Sequence, residues 1–131
     1  MKFKSVLIYF FLAAAFITTA FTADDVTARI SRAMKAGDAA GLSEYFNGNI
    51  RLKIGQTDKI YSRSQAKAIL DNFFGRNRPA DYQITSQRKS GKSTIITGNL
   101  KTEEHIFRIY YQLSDHTGRL LMNYIDIQKI D

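Results

Sequence analysis

The chain has 131 residues, with 19 Lys plus Arg, 12 Asp plus Glu, two His, no Cys and no Trp. That length suits one domain, and 44% hydrophobic with 24% charged residues describes a globular chain rather than a disordered one. The lack of cysteine excludes disulfides, thiolate metal sites, a cysteine nucleophile and a lipid on an N-terminal Cys, and one Pro excludes a proline-rich linker.

Residues 1–23 read as an export signal. Lys2 and Lys4 form a positive start, Val6 to Ile17 is an unbroken apolar run of twelve, and Thr18, Thr19, Ala20, Thr22 and Ala23 supply small and polar residues, the three-part pattern of a secretory signal peptide. Cleavage after Ala20 places Thr18 three residues before the cut, whereas cleavage after Ala23 places the bulkier Phe21 there. The other reading is an uncleaved anchor, since Ser5 to Ala23 carries no charge. The apolar core is nevertheless shorter than the ~20 residues a bilayer needs. The expectation is an exported protein, periplasmic or secreted, whose residues 24–131 form a single soluble domain stabilised by a packed core rather than by disulfides.

Val26, Ile30, Ala33 and Met34 recur at helical spacing over Asp24–Lys35, with Asp24 or Asp25 as cap and Gly37 as stop. Asp38 caps a second helix expected over Ala39–Phe46, and Asn47-Gly48-Asn49 signals a turn. Ile50, Leu52 and Ile54 alternate with polar residues as in a half-buried strand. Gly55–Asp58 turns the chain, and Ile60 and Tyr61 return it. Ser62 with Gln65 fits a capping box ahead of a helical stripe of Ala66, Ile69, Leu70, Phe73 and Phe74, expected to end at Gly75, with Pro79 barring continuation. Four strands follow: Tyr82–Lys89, Thr94–Lys101, His105–Leu113 and Arg119–Ile130. Tight turns between them make neighbours antiparallel. His105, Phe107, Ile109, Tyr111 and Leu113 are expected on one face of the third, and Leu121, Asn123, Ile125 and Ile127 on one face of the fourth. The order α-α-β-β-α-β-β-β-β defines an α+β fold, a curved antiparallel sheet wrapped around an amphipathic helix.

Several stretches resemble the nuclear transport factor 2-like superfamily. Ala36-Gly37-Asp38 with Leu42 and Tyr45-Phe46 looks like its helix-break-helix opening, and the helix from Ser62 to Phe74 followed by a strand meander has its order. Lys35–Phe46, Tyr61–Phe74, Gly98-Asn99-Leu100-Lys101-Thr102 and Phe107-Arg108-Ile109-Tyr110-Tyr111 are closest to a family of exported bacterial proteins of unknown function within it. The resemblance implies a cone-shaped cavity, and a homodimer through the open sheet face. It implies no particular activity, since the superfamily holds isomerases, dehydratases, cyclases and non-catalytic binding domains.

No motif identifies a reaction. The carboxylates fall at caps, turns and polar faces, with no pair spaced for acid–base work. His105 and His116 are too far apart, without Cys, for a metal-ligand pattern. There is no glycine-rich phosphate loop or serine elbow, and hence no cofactor signature. Tyr82, Phe107, Tyr110, Tyr111 and Tyr124 cluster on the late strands. Tyr82, His105, Phe107, Tyr111 and Asn123 are the candidate lining of a cavity for a small amphipathic ligand; a filled core explains the same aromatics. Residues 51–101 carry eleven basic and three acidic groups, net +8. Arg76, Arg78, Arg88, Lys89 and Lys92 are therefore candidates for a basic surface attracting an anionic polymer, without the aromatic–basic motif of a nucleic-acid binder. The reading is an exported, non-enzymatic domain binding a small ligand or an envelope protein. A cavity-based enzyme of isomerase or dehydratase type and a basic-surface binder are the alternatives.

Overall fold

A computed structural model of the chain describes residues 23–131. The expected signal at 1–23 lies outside the described residues except for Ala23, which opens the first helix. Helix α1 (Ala23–Ala36) buries Val26, Thr27, Ile30, Ala33 and Met34. It ends where Gly37 takes φ +65°, with Gly37 N donating to Met34 O (3.1 Å) and Asp38 N to Ala33 O (2.9 Å). This pair of bonds satisfies the last carbonyls and needs a left-handed residue. Helix α2 (Ala39–Ser43) is capped by Asp38, whose carboxylate accepts from Gly41 N at 2.9 Å. It is shorter than expected, because Phe46 already belongs to strand β1 (Phe46–Ile54).

The turn expected at Asn47-Gly48-Asn49 is not a turn. These residues sit within β1, where Phe46 pairs with Met122 and Arg51 with Tyr124. The longer run on β1 therefore bulges, and the turn-prone residues take the irregular backbone. Strand β2 (Thr57–Ser62) returns antiparallel through Gly55 and Gln56. Helix α3 (Arg63–Arg76) begins with the capping box: Ser62 Oγ accepts from Gln65 N and Gln65 Oε1 accepts from Ser62 N. It does not stop at Gly75. Asn77 ends it, with both its backbone N and its Nδ2 donating to Phe73 O (2.9 and 3.1 Å).

Strands β3 (Pro79–Ser90), β4 (Ser93–Thr102), β5 (Ile106–His116) and β6 (Arg119–Lys129) complete a six-stranded sheet of order β2-β1-β6-β5-β4-β3. Every neighbouring pair is antiparallel except β1–β6, which is parallel. Pro79 sits at the first position of an edge strand, where a missing N–H is tolerated. Register shifts interrupt β3 at Pro79/Asp81 and Ile84/Ser86, and such bulges curve a sheet. The inner face carries Ile50, Leu52, Tyr82, Ile96, Leu100, Phe107, Ile109, Tyr111, Leu113, Met122, Ile125 and Ile127, all buried. They form one core with Leu70, Phe73 and Phe74 of α3 and with Ile30 and Met34 of α1. Burying each large apolar side chain is worth roughly 1.5–3 kcal/mol.

The face expected for β6 needs correction. Gln112 pairs with Tyr124 but Leu113 with Met122, so Asn123 is the extra residue of a bulge. The alternation shifts there. Met122, Ile125 and Ile127 are buried, whereas Leu121 and Asn123 are half-buried.

Candidate functional site

Strand alternation on β5 sends Phe107, Ile109, Tyr111 and Leu113 inward, and β3 sends Tyr82 into the same core. The hydroxyls of Tyr82 and Tyr111 are both buried with no hydrogen-bond partner. Burial pushes both phenols well above the ordinary tyrosine range, and Tyr82 adds to the effect on Tyr111. An unpartnered buried hydroxyl forgoes its hydrogen bonds to water at a cost of about 1–3 kcal/mol. Two of them in one apolar interior are the most conspicuous feature of the cone. Gly98 makes room for Tyr82. Its position on β4 faces the Tyr82 ring so closely that a Cβ there would fall inside the ring and its hydroxyl. A glycine inside a strand pattern is the sequence sign of such an approach, and reading the strands by alternation alone passes over it.

Phe107 packs edge-on against Phe73 at 5.1 Å between centroids. His105 lies just before β5, at the rim. Thr102 Oγ1 accepts from His105 N (2.9 Å) and donates to His105 O (3.0 Å), which holds the connection between β4 and β5. The imidazole meets the Phe107 ring edge-on, and its Nδ1 is 3.7 Å from the Asp131 carboxylate. It borders a rim pocket of about 300 Å³ that includes Arg76, Arg78, Glu103 and Glu104. Of the five candidate lining residues, the structure thus brings Tyr82, Phe107 and Tyr111 into the interior and leaves His105 at the rim. Asn123 goes elsewhere: the bulge turns it to the outer face, where its Nδ2 donates to Ser114 Oγ at 3.2 Å and its Oδ1 is buried without a partner. Ser114 Oγ lies 3.2 Å from Ser93 Oγ, which also accepts from Gln112 Nε2 (3.1 Å). This polar row across three strands was not legible by spacing, because it depends on the β6 bulge.

The outer face also carries aromatic and charged groups. Tyr110 and Tyr124 meet edge-on at 5.6 Å. The Arg51 guanidinium stands 4.9 Å over the Tyr124 ring and grips Asp58 through two hydrogen bonds (2.9 and 2.7 Å). That grip holds the Asp58 carboxyl below the usual range. A depression of about 340 Å³ is lined by Thr97, Arg108, Tyr110, Tyr124 and Asp126.

The basic surface expected from the middle third is divided. Arg76 and Arg78 flank the end of α3, whereas Arg88, Lys89 and Lys92 lie at the opposite end of β3. At strand spacing, the ten residues between Arg78 and Arg88 span roughly 30 Å. Among the described residues no three of His, Cys, Asp and Glu are grouped to hold a metal ion, and no helix is long and apolar enough to cross a membrane.

A curved six-stranded sheet with α1 packed on β3 and β4, α3 packed on β1 and β2, and the short α2 between the two helices defines an NTF2-like cone. The solved structure of an NTF2-like protein of unknown function from Silicibacter pomeroyi superposes with a TM-score of 0.55 over 84% of this chain and all of that one, at 16% identity. Residues 27–128 match the model of a family described as a domain of unknown function, DUF4783, and the chain belongs to that family. A DUF4783 protein from Bacteroides ovatus superposes with a TM-score of 0.77 at 24% identity, covering 87% of this chain and 99% of its own. One from Bacteroides fragilis gives 0.75 at 26% identity, covering 78% and 96%. No functionally curated protein matches the chain.

Proposed function

We propose that this protein is an exported, non-catalytic binding domain of the cell envelope whose cone takes a small amphipathic ligand. The observation that carries the reading is the pair of buried, unpartnered hydroxyls of Tyr82 and Tyr111. An apolar interior with a few convergent polar groups is the usual make-up of a small-molecule site. A ligand that offers an acceptor or a donor there recovers hydrogen bonds the folded protein lacks. The buried polar and charged residues among those described are Thr27, Ser43, Thr94 and Thr102. The export part rests on Lys2, Lys4 and the Val6–Ile17 run.

Native mass spectrometry of the protein purified from its own cell envelope tests this reading. The expected result is an added mass that denaturation releases, reduced in Tyr82→Phe and in Tyr111→Phe. A bare protein mass, or an added mass indifferent to both substitutions, overturns it.

A second reading concerns the outer face, which carries no helix among the described residues. Its row of Tyr110, Tyr124 and Arg51 suits a protein partner, and a second copy of the chain fits best. A two-fold contact there would set Arg108 of each copy against Asp126 of the other, a self-complementary arrangement. A dimeric mass in solution that Tyr124→Ser converts to a monomer supports it, and a monomeric wild type rejects it.

A further inference from the structure

The outer half of β3 runs past the core. Every residue from Gln83 to Ser90 is exposed, and the hairpin closes through Gly91, at φ +61°, and Lys92. Arg88, Lys89 and Lys92 crowd this tip, and no ion pair holds any of them among the described residues. No Asp or Glu occurs between Tyr82 and Thr102. The nearest carboxylates stand on the flanks and are engaged. Asp115, whose backbone N donates to Lys92 O (3.2 Å), accepts from Gly118 N through its Oδ1. Asp24 Oδ1 accepts from Gln87 Nε2 at 3.3 Å, with Asp25 next to it in α1. Arg119 and His116 close the neighbouring β5–β6 turn.

The Gln87–Asp24 contact has a topological meaning. Asp24 is where the described fold continues from residues 1–22, which hold the twelve-residue apolar run. The basic tip and the entry of that run are therefore at the same end of the domain, while Arg76 and Arg78 are at the other end of β3. Where the run is kept as the uncleaved anchor, the bilayer that holds it presents its headgroups to the tip. We propose that Arg88, Lys89 and Lys92 form an electrostatic contact with anionic phospholipid headgroups, which docks the domain on a membrane surface by its β3–β4 hairpin. Each Lys or Arg near an anionic leaflet is worth roughly a fivefold gain in partitioning, so three make a weak, reversible, salt-sensitive contact. The inference is independent of the interior ligand.

Residues 23–131 can be tested alone. They hold every described helix and strand and the whole of the family match at 27–128, and circular dichroism of this piece shows that it is folded before vesicles are added. Co-sedimentation with vesicles of equal phosphatidylglycerol and phosphatidylcholine, at about 0.05 M salt, is the measurement. The expected result is binding to these vesicles, none to phosphatidylcholine alone, and loss at about 0.3 M salt. Arg88→Gln/Lys89→Gln/Lys92→Gln should lose roughly tenfold or more of the partitioning, while Arg76→Gln/Arg78→Gln, which removes two positive charges at the far end, should keep it. Three results overturn the proposal: no binding by the wild type, equal binding to neutral vesicles, or equal loss in both variants. Binding to heparin without binding to vesicles would reassign the tip to acidic glycans. Circular dichroism of both variants excludes misfolding as the cause.

Discussion

Tyr110 and Tyr111 are neighbours in sequence and live in opposite worlds. Tyr111 is fully buried with its hydroxyl unpartnered. Tyr110 is half-buried on the other side of the same strand, edge-on to Tyr124 beside an open depression. One residue type thus serves two purposes, set only by strand parity. Inside, a tyrosine fills volume and leaves a polar group in want of a partner. Outside, its ring joins Arg51 and Asp58 in a solvated cluster. The inner face holds the core that stabilises the fold, and the outer face carries half-buried and exposed polar groups.

The contrast can be broken most strongly from inside. Phe73→Ala should cost about 3–5 kcal/mol, because it empties a site that touches both Phe74 and Phe107; chemical denaturation measures it. Gly98→Ala should cost about 1–3 kcal/mol by overpacking against Tyr82, and adding Tyr82→Leu should recover part of the loss. Full additivity of the two changes would refute a direct clash. Tyr111→Phe should go the other way, stabilising by about 1 kcal/mol when no ligand is bound, because it removes an unpartnered buried hydroxyl. The smallest effect belongs to the outer face. Tyr124→Ser should change the stability of the monomer by no more than about 0.5 kcal/mol, and a large loss would show that the outer cluster supports the fold.

Alkaline pH sharpens the same comparison. The phenols of Tyr82 and Tyr111 titrate higher in the folded protein than the ordinary value near 10. Above about pH 10 the unfolded chain therefore releases protons that the folded chain retains. The stability linked to these phenols is complete below that pH and falls as pH rises beyond it. The double variant Tyr82→Phe/Tyr111→Phe should show a shallower alkaline loss in pH-dependent denaturation, and an unchanged slope would place the hydroxyls in contact with water.

Most of the local structure was legible in the residues, because its causes are local. The stripe Ala66–Phe74 and the Ser62/Gln65 box need only neighbours three and four positions away, and Gly37 ends α1 through bonds within its own turn. Where the reading failed, the cause came from another strand. Asn47-Gly48-Asn49 has the composition of a turn but is stretched into β1 by pairing with β6. Asn123 and Leu121 share parity with Ile125 on paper, yet a single bulge opposite β5 rotates them away. The basic residues 76–92 form one run of charge in sequence, but the length of β3 carries its ends far apart.

The sequence by itself determined the element order, the inward set on β5, and the resemblance that the family match upholds, since periodicity and caps are properties of short segments. Only the tertiary structure decided the parallel pairing of β1 with β6, the packing of Tyr82 over Gly98, and the placement of the hairpin tip beside Asp24. Those contacts join residues tens of positions apart, and their geometry depends on sheet curvature and bulges that no local pattern encodes.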